Sequence, residues 1–320
     1  MKTVRVHRPG GADQLVAEES AAPEPGPGEV LVANEAVGVN FIDVYYRDGT
    51  YPGELPFVPG QEAAGTVVAV GEGATGFAPG DVVAYATHRG AYGARTAVPV
   101  GKLVPVPAGV TPADAAAVLL QGLAAHYLTH DTRPVRPGDT VVVLAAAGGL
   151  GRLLVQLATH LGASVIAVVS GAEKEKVARE AGARHAVRYE EFGQRVRELT
   201  GGRGAHVVYD SVGAATWADS LAALGRRGTL VLCGASSGPV PPLDTGLLRA
   251  GGSLYVTRPT LGDHVPDPGT LRERAAQVFA LLAEGRISAL VSRTLPLEQA
   301  ALAHRLLEER ATVGKVLLRP

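Results

Sequence analysis

At 320 residues the chain is long enough to bury a sizeable core in one or two domains. Hydrophobic residues make up 46%, aromatic residues 5% and charged residues 19%, which excludes the disordered and collagen-like classes and fits a globular enzyme. Thirty basic against 31 acidic side chains leave a net charge of -1 that gives a polyanion no footprint, and the single cysteine, Cys233, excludes an internal disulfide and points to a reducing compartment.

The opening "MKTVRVHRPG" lacks a signal-peptide apolar core, and no apolar run approaches the roughly 18 residues that span a bilayer, so the chain reads as cytosolic. Residues 1–121 are rich in Pro, Gly and Val, with short strand-like runs such as "EVLVANEAVGV" and "AAGTVVAVG" separated by turns like Pro79-Gly80-Asp81. That pattern predicts a compact, mostly β unit of barrel type. From 122 to 258 apolar strands alternate with amphipathic helices. The predicted strands are Thr140–Ala145, Ser164–Val169, His185–Tyr189, His206–Asp210, Thr229–Cys233 and Ser253–Thr257, and six strands at helix-length spacing argue for a doubly wound parallel sheet. The tail, 259–320, carries helices near "LRERAAQVFALLAEG" and "LEQAALAHRLLEE" and a last strand "GKVLL", and is expected to fold back onto the N-terminal unit, with prolines 259, 266 and 268 marking the return. The Pro-Gly-Asp at 137–139 repeats the turn at 79–81 in a different context, a reused turn and not a repeat.

Between the first and second strands of the middle region stands "AAAGGLG". Set against G-x-G-x-x-G it gives Ala146, Gly148 and Gly151, with alanine for the first glycine. A strand runs into it, the helix Arg152–Leu161 leaves it, and a second strand follows, which is the context of a dinucleotide site. Gly148 is expected to let backbone approach the pyrophosphate, Gly151 to let the helix pack on the strand, and the helix N-terminus to offer free N–H groups to the phosphates. At the end of the second strand, where NAD sites place a carboxylate, the sequence reads Val169-Ser170-Gly171-Ala172-Glu173-Lys174. A hydroxyl and an ammonium receive a 2'-phosphate that a carboxylate would repel. Lys174 is the expected phosphate partner, Tyr189 a second donor, and NADPH the expected cofactor.

The runs "VGVNFIDVYYRDGTYP", "PGQEAAGTVVAVG", "AAAGGLG", "VVYDSVG", "GSLYVTRP" and "RATVGKVLL" together resemble, over essentially the whole chain, the zinc-independent branch of the medium-chain dehydrogenase/reductases, on its zeta-crystallin-like quinone-reducing side. The resemblance implies an α/β protein with a GroES-like β-rich catalytic domain from both chain ends, 1–121 and 259–320, and an inserted Rossmann domain, 122–258. It also implies a homodimer that pairs through the last Rossmann strand, around Gly252–Arg258. Matched position by position, it places Asn40, Phe41, Ile42 and Asp43 at the nicotinamide end, and Tyr127 with Gly148, Gly149, Leu150 and Gly151 along the diphosphate. Ser170, Gly171, Lys174 and Tyr189 fall around the adenosine phosphate. Further cofactor contacts fall on Ser211, on Cys233, Gly234, Ala235 and Ser236, on Pro259, Thr260 and Leu261, and on Arg310. Cys233 departs from the family's more usual aromatic residue there.

The family's zinc-dependent cousins bind their metal with a cysteine and a Gly-His-Glu histidine. Here the run is Gly60-Gln61-Glu62, so catalytic zinc is not expected. His126 and His130, four apart on a predicted helix with no third ligand, read as packing or surface residues. The expected reaction is therefore NADPH-dependent reduction of a quinone, which needs little electrophilic help. Asn40 and Asp43 would orient the nicotinamide side, with Tyr45 and Tyr51 lining the pocket and donating to a developing oxyanion. Two other readings stand beside it: reduction of the C=C bond of an α,β-unsaturated carbonyl compound, and a non-catalytic NADPH- or RNA-binding protein. The charge balance and the absence of a basic stripe argue against nucleic acid.

Overall fold

A computed structural model describes every residue, Met1–Pro320. The chain divides into two compact units, Met1–Leu123 with Val265–Pro320, and Ala124–His264.

The second unit carries a six-stranded sheet in the spatial order His185–Val187, Ser164–Val168, Thr140–Leu144, Ala205–Asp210, Leu224–Leu232, Tyr255–Thr257, and every neighbouring pair is parallel. Helices Gly149–His160, Ala172–Glu180, Phe192–Leu199 and Trp217–Ala223 alternate with the strands. This is the doubly wound arrangement, in which strands buried on both faces read as continuous apolar runs such as "TVVVL". Val142, Leu144, Ile166, Val168, Val208 and Leu230 form its core. The six strands fall where the sequence places them, with shifted ends. The first stops at Leu144 because Ala145 turns into the left-handed region at φ 48. The third stops at Val187, and the fifth starts at Leu224.

In the first unit, a seven-stranded sheet runs Val291–Pro296, Lys315–Arg319, Glu29–Gly38, Glu62–Val70, Val82–Ala86, Leu103–Pro105, and Arg95–Pro99 also pairs with Glu29–Gly38. The C-terminal strand Lys315–Arg319 lies antiparallel to Glu29–Gly38, Leu317 opposite Gly38 and Leu318 opposite Val37, so the two ends of the chain share one sheet. A hairpin of Lys2–Val6 and Leu15–Glu19 stands beside it. Val30, Val32, Val83 and Tyr85 pack with Val316 and Leu318 in one core. Both Pro-Gly-Asp turns use glycine at positive φ, 99° at Gly80 and 86° at Gly138, and in each the aspartate accepts from a backbone N–H three residues back.

The sequence reading ends the middle region at residue 258, whereas residues 259–264 group with the second unit. The physical reason is local. His264 stacks on Tyr127 with ring centroids 4.2 Å apart, and its Nδ1 lies 3.4 Å from the Asp131 carboxylate.

Candidate active site

In the second unit the glycine loop makes a strand-to-helix turn of the expected kind. Gly148 caps the helix Gly149–His160, and its N–H donates to Ala145 O at 2.9 Å. A Cβ on Gly151 would lie 2.3 Å from Ala145 O and 2.9 Å from Ala146 Cα, so only glycine lets the helix approach the strand this closely. A Cβ on Gly148 would meet a single atom, Ala145 O at 3.2 Å. The two glycines thus differ: Gly151 is required for the helix to pack on the strand, whereas Gly148 is much less crowded. Leu150 follows in the helix's first turn. The one conformational departure is Ala145, where an alanine holds a positive φ.

Just past the second strand, Ser170 is exposed and Gly171 caps the helix Ala172–Glu180, with nothing within 4 Å of the place its Cβ would take. Lys174 is half-buried in the first turn of that helix. The carboxylate beside it, Glu175, is engaged by Arg179 at 3.0 Å and Arg188 at 3.3 Å. Ser170, Gly171 and Lys174 place a hydroxyl, a backbone N–H and an ammonium at this strand end, with the exposed Glu173 between Gly171 and Lys174. Tyr189 adds a contact that sequence reasoning missed: its hydroxyl accepts from the N–H of Ala145 at 3.0 Å, tying the third strand's end to the glycine loop.

The loops after the fourth and fifth strands are knitted together. Asp210 of "VVYDSVG" is fully buried, and its carboxylate accepts from Val212 N, Gly213 N, Thr216 Oγ1 and Ser220 Oγ at 2.7 to 3.0 Å, which makes it a scaffold for Ser211. Ser236 N donates to Ser211 O at 3.3 Å, and a Cβ on Gly234 would lie 2.7 Å from that same oxygen. Burial pushes the Cys233 thiol up to about 12, so it is no thiolate at neutral pH. Ala235 lies in the same loop, half-buried. After the last strand, Pro259 and Thr260 lead into the helical turn Leu261–His264, where Thr260 Oγ1 donates to Asp263 at 3.0 Å. Tyr127 is buried against His264, at the point where the helix Pro112–Tyr127 passes into a π turn over Leu128–Thr132. His126 and His130 stack on each other at 4.1 Å. No group of three or more His, Cys, Asp and Glu side chains is arranged to hold a metal ion.

The first unit builds its share from buried charge. Glu62 and Lys315 are both essentially inaccessible and pair at 2.6 Å. Glu62 Oε1 accepts from Leu120 N at 2.6 Å, and Oε2 from Asn40 Nδ2 at 2.8 Å. Gly38 makes room for this pair, since a Cβ there would lie 2.2 Å from Glu62 Oε2 and 2.7 Å from Ala116 O. The Asn40 amide is saturated. Its Nδ2 donates to Gly38 O and Glu62, and its Oδ1 accepts from Gln121 Nε2 at 3.2 Å and Lys315 Nζ at 2.8 Å. With all four positions taken, the side chain of Asn40 fixes the turn it belongs to and has no further donor or acceptor to offer.

Asp43, fully buried three residues on, accepts from Asn40 N at 2.9 Å and thereby caps the helix Phe41–Arg47. Its other oxygen, Oδ1, is buried with no hydrogen-bond partner, and desolvation raises its carboxyl to about 7 against the opposing backbone hydrogen bond. Behind it lies a directional chain. Arg47 donates to both Glu308 oxygens, at 2.9 and 2.6 Å, and faces His304 Nδ1 at 3.3 Å. A guanidinium only donates, so Nδ1 is the acceptor and the imidazole hydrogen is on Nε2. That nitrogen lies 2.9 Å from Tyr92 Oη, leaving the Tyr92 hydroxyl to donate to Asp43 Oδ2 at 3.4 Å. Burial, seconded by the Arg47 charge, lowers His304 to about 3.

Phe41 and Ile42 are the half-buried residues of the turn held by Asn40 and Asp43. Phe41 contacts the Tyr45 ring at 5.4 Å, and Tyr45 contacts Tyr51 at 5.2 Å. Arg310 takes a positive φ of 56° just beyond the helix Ala300–Glu308. The structure thus brings Asn40, Phe41, Ile42, Asp43, Tyr45 and Tyr51 together within the first unit.

Comparison with known proteins agrees with this architecture. The model of the alcohol dehydrogenase GroES-like domain matches residues 26–137, and that of the zinc-binding dehydrogenase matches residues 149–278. A quinone oxidoreductase of Pseudomonas aeruginosa is 45% identical over 315 residues, covering 97% of each chain. Among solved structures, a mycobacterial protein crystallised with NADPH is 47% identical with a TM-score of 0.97, and Escherichia coli quinone oxidoreductase complexed with NADPH is 41% identical with a TM-score of 0.97, each covering 100% of both chains. With this identity and coverage, the chain belongs to the medium-chain dehydrogenase/reductase family, among its quinone oxidoreductases.

Proposed function

We propose that the chain is an NADPH-dependent quinone reductase that works without a metal. The observation that carries this reading is the donor set past the second strand of the parallel sheet, where Ser170, Gly171 and Lys174 stand in place of a carboxylate beside an open glycine turn. The residues fit NADPH: the helix Gly149–His160 presents its N-terminus and the accessible Gly148 backbone to the diphosphate, and Lys174 with Ser170 receives the adenosine phosphate. The relatives named above point the same way, two of them named for quinone reduction and two solved with NADPH.

When bound, the reduced nicotinamide supplies the hydride, and aromatisation of the acceptor supplies driving force. The protein's own task is to hold and orient two rings. Asn40 and Asp43 do this indirectly, by fixing the backbone of the Phe41–Ile42 turn through Glu62 and Lys315. Tyr45 and Tyr51 line the acceptor side and donate to the oxygen on which negative charge develops. Ser211, Cys233–Ser236, Pro259–Leu261 and Arg310 complete the cofactor contacts. The chain further assembles as a homodimer along the edge strand Tyr255–Thr257. Tyr255 is 54% exposed there, and Leu243 and Leu247 add exposed apolar surface nearby in sequence. Its compartment is the cytoplasm, in keeping with its single unpaired cysteine. No helix is long and apolar enough to cross a membrane.

The test is oxidation of NADPH and of NADH with a naphthoquinone and, separately, with a simple enone. Rapid oxidation of NADPH with the quinone is expected. Turnover with the enone alone moves the function to double-bond reduction, and tight NADPH binding without turnover makes the protein non-catalytic. Sedimentation at micromolar concentration is expected to give a dimer, and a monomer would refute the edge-strand pairing.

A further inference from the structure

The chain holds five Phe, nine Tyr and one Trp, and a third of them, Phe41, Tyr45, Tyr46, Tyr51 and Phe57, fall within residues 41–57. Their rings form a connected row. From Phe41 the centroids step 5.4 Å to Tyr45, 5.2 Å to Tyr51 and 5.5 Å to Tyr46. The row ends on a cation: the Arg89 guanidinium carbon lies 5.0 Å from the Tyr46 ring centroid and 5.7 Å from that of Phe57. All five rings are half-buried and Arg89 is exposed. Gly53 makes room for it, since a Cβ there would lie 2.9 Å from Arg89 Nη1.

Two features separate Arg89 from arginines such as Arg47, Arg133 and Arg179. Arg47, Arg133 and Arg179 are matched to carboxylates, whereas no carboxylate of the chain pairs with Arg89. Contact with ring faces orients a guanidinium while leaving its in-plane N–H donors available, and those donors match the two oxygens of a carboxylate or sulfonate. A row of rings tilted 57°, 58° and 76° to one another, ending on one oriented cation that no carboxylate matches, is a recognition site for an aromatic ligand with an anionic group at one edge.

We infer that Arg89 is a specificity-determining residue that selects quinone acceptors carrying an anionic substituent, with the quinone rings against the Phe41–Tyr45–Tyr51–Tyr46 row and the substituent on the guanidinium. This rests on the quinone-reductase reading above. The substituent takes no part in the reaction, which adds a hydride and a proton to the quinone whether or not it is charged.

The experiment compares kcat/KM for 1,4-naphthoquinone-2-sulfonate with that for uncharged 1,4-naphthoquinone, in the wild type, Arg89→Lys, Arg89→Gln and Arg89→Glu. The ratio of the two constants cancels both the acceptors' different reduction potentials and any general loss of fold. It is expected to fall about tenfold in Arg89→Gln, further in Arg89→Glu and less in Arg89→Lys, the size of one charge-assisted contact at an exposed position. In the wild type the ratio should also fall with added salt, and in Arg89→Gln it should not. A ratio that is the same in all four proteins overturns the inference. Equilibrium binding of anthraquinone-2-sulfonate, followed without turnover, separates this from the broader reading. If no quinone is reduced yet Arg89→Gln weakens binding about tenfold, the reductase reading fails and the anionic site stands; unchanged affinity overturns the site.

Discussion

The glycine turn of the parallel-sheet unit and the buried polar cluster of the β-rich unit prepare their surroundings in opposite ways. The turn relies on backbone: Gly151 admits the helix to the strand, Gly148 caps the helix and closes the turn onto Ala145 O, and all of it lies within seven consecutive residues. The cluster relies on side chains far apart in sequence, Lys315 reaching Asn40 and Glu62 across 275 and 253 residues, and Arg47 reaching Glu308 across 261. Backbone geometry is robust to changes of side-chain charge and sensitive to any added Cβ. A buried ionic cluster is the reverse, because removing one partner strands the other's charge in a medium that cannot solvate it.

Lys315→Met sharpens that contrast most. It leaves the Glu62 carboxylate buried and unpaired, and is expected to cost about 3–5 kcal/mol of stability by urea denaturation. The double variant Glu62→Gln with Lys315→Met should recover most of the loss. If the single variant is as stable as the wild type, the pair is not the tie described. Gly151→Ala comes next, at about 1–3 kcal/mol or somewhat more, because the atoms its Cβ meets are backbone and cannot step aside. Lys174→Ala should weaken NADPH binding by about 1.5–3 kcal/mol while leaving NADH binding little changed; equal dissociation constants for both cofactors before and after would break the phosphate assignment.

The cluster also makes a pH prediction in which two groups oppose each other. Asp43, raised to about 7 by burial, gains a proton on folding, so its contribution is full below about pH 4 and lost as pH rises to about 7. His304, lowered to about 3, gives up a proton on folding, so its contribution is full above about pH 6.5 and lost as pH falls towards 3. Between about pH 4 and 6.5 the two slopes cancel. Denaturation midpoints of Asp43→Asn should therefore fall as pH drops below about 6.5, and those of His304→Gln should rise as pH drops from about 7 to 4. Identical slopes in the two variants would show that these groups do not titrate as described. The smallest effect is expected from Ala145→Gly, which relieves a left-handed alanine and should stabilise by about 1 kcal/mol at most.

The same contrast explains what could be foreseen from residues alone. Parallel strands and a glycine turn are local patterns, and "TVVVLAAAGGLG" announces both, so the sheet and the turn after its first strand were legible. Even there the strand ends moved, because a left-handed Ala145 has no signature in the one-letter code. In the β-rich unit, Asn40 and Asp43 stood out by resemblance, but their partners did not. Lys315 reads as an ordinary strand lysine, and Tyr92 and His304 as unrelated residues. Their meeting depends on the C-terminal strand pairing with Glu29–Gly38, a tertiary fact. One sign was present in "AVGVN": a glycine inside an apolar strand marks close approach, and at Gly38 the group approaching is Glu62. The tie between His264 and Tyr127, which carries residues 259–264 into the second unit, likewise depends on side chains 137 positions apart.

The most direct test of NADPH-dependent, metal-independent quinone reduction is to strip the protein exhaustively with a chelator and follow NADPH consumption and hydroquinone formation together with a naphthoquinone as acceptor. Equimolar conversion at the rate of the untreated protein is the expected result. Absence of quinone-dependent NADPH oxidation, or activity that returns only when zinc is added back, would contradict it.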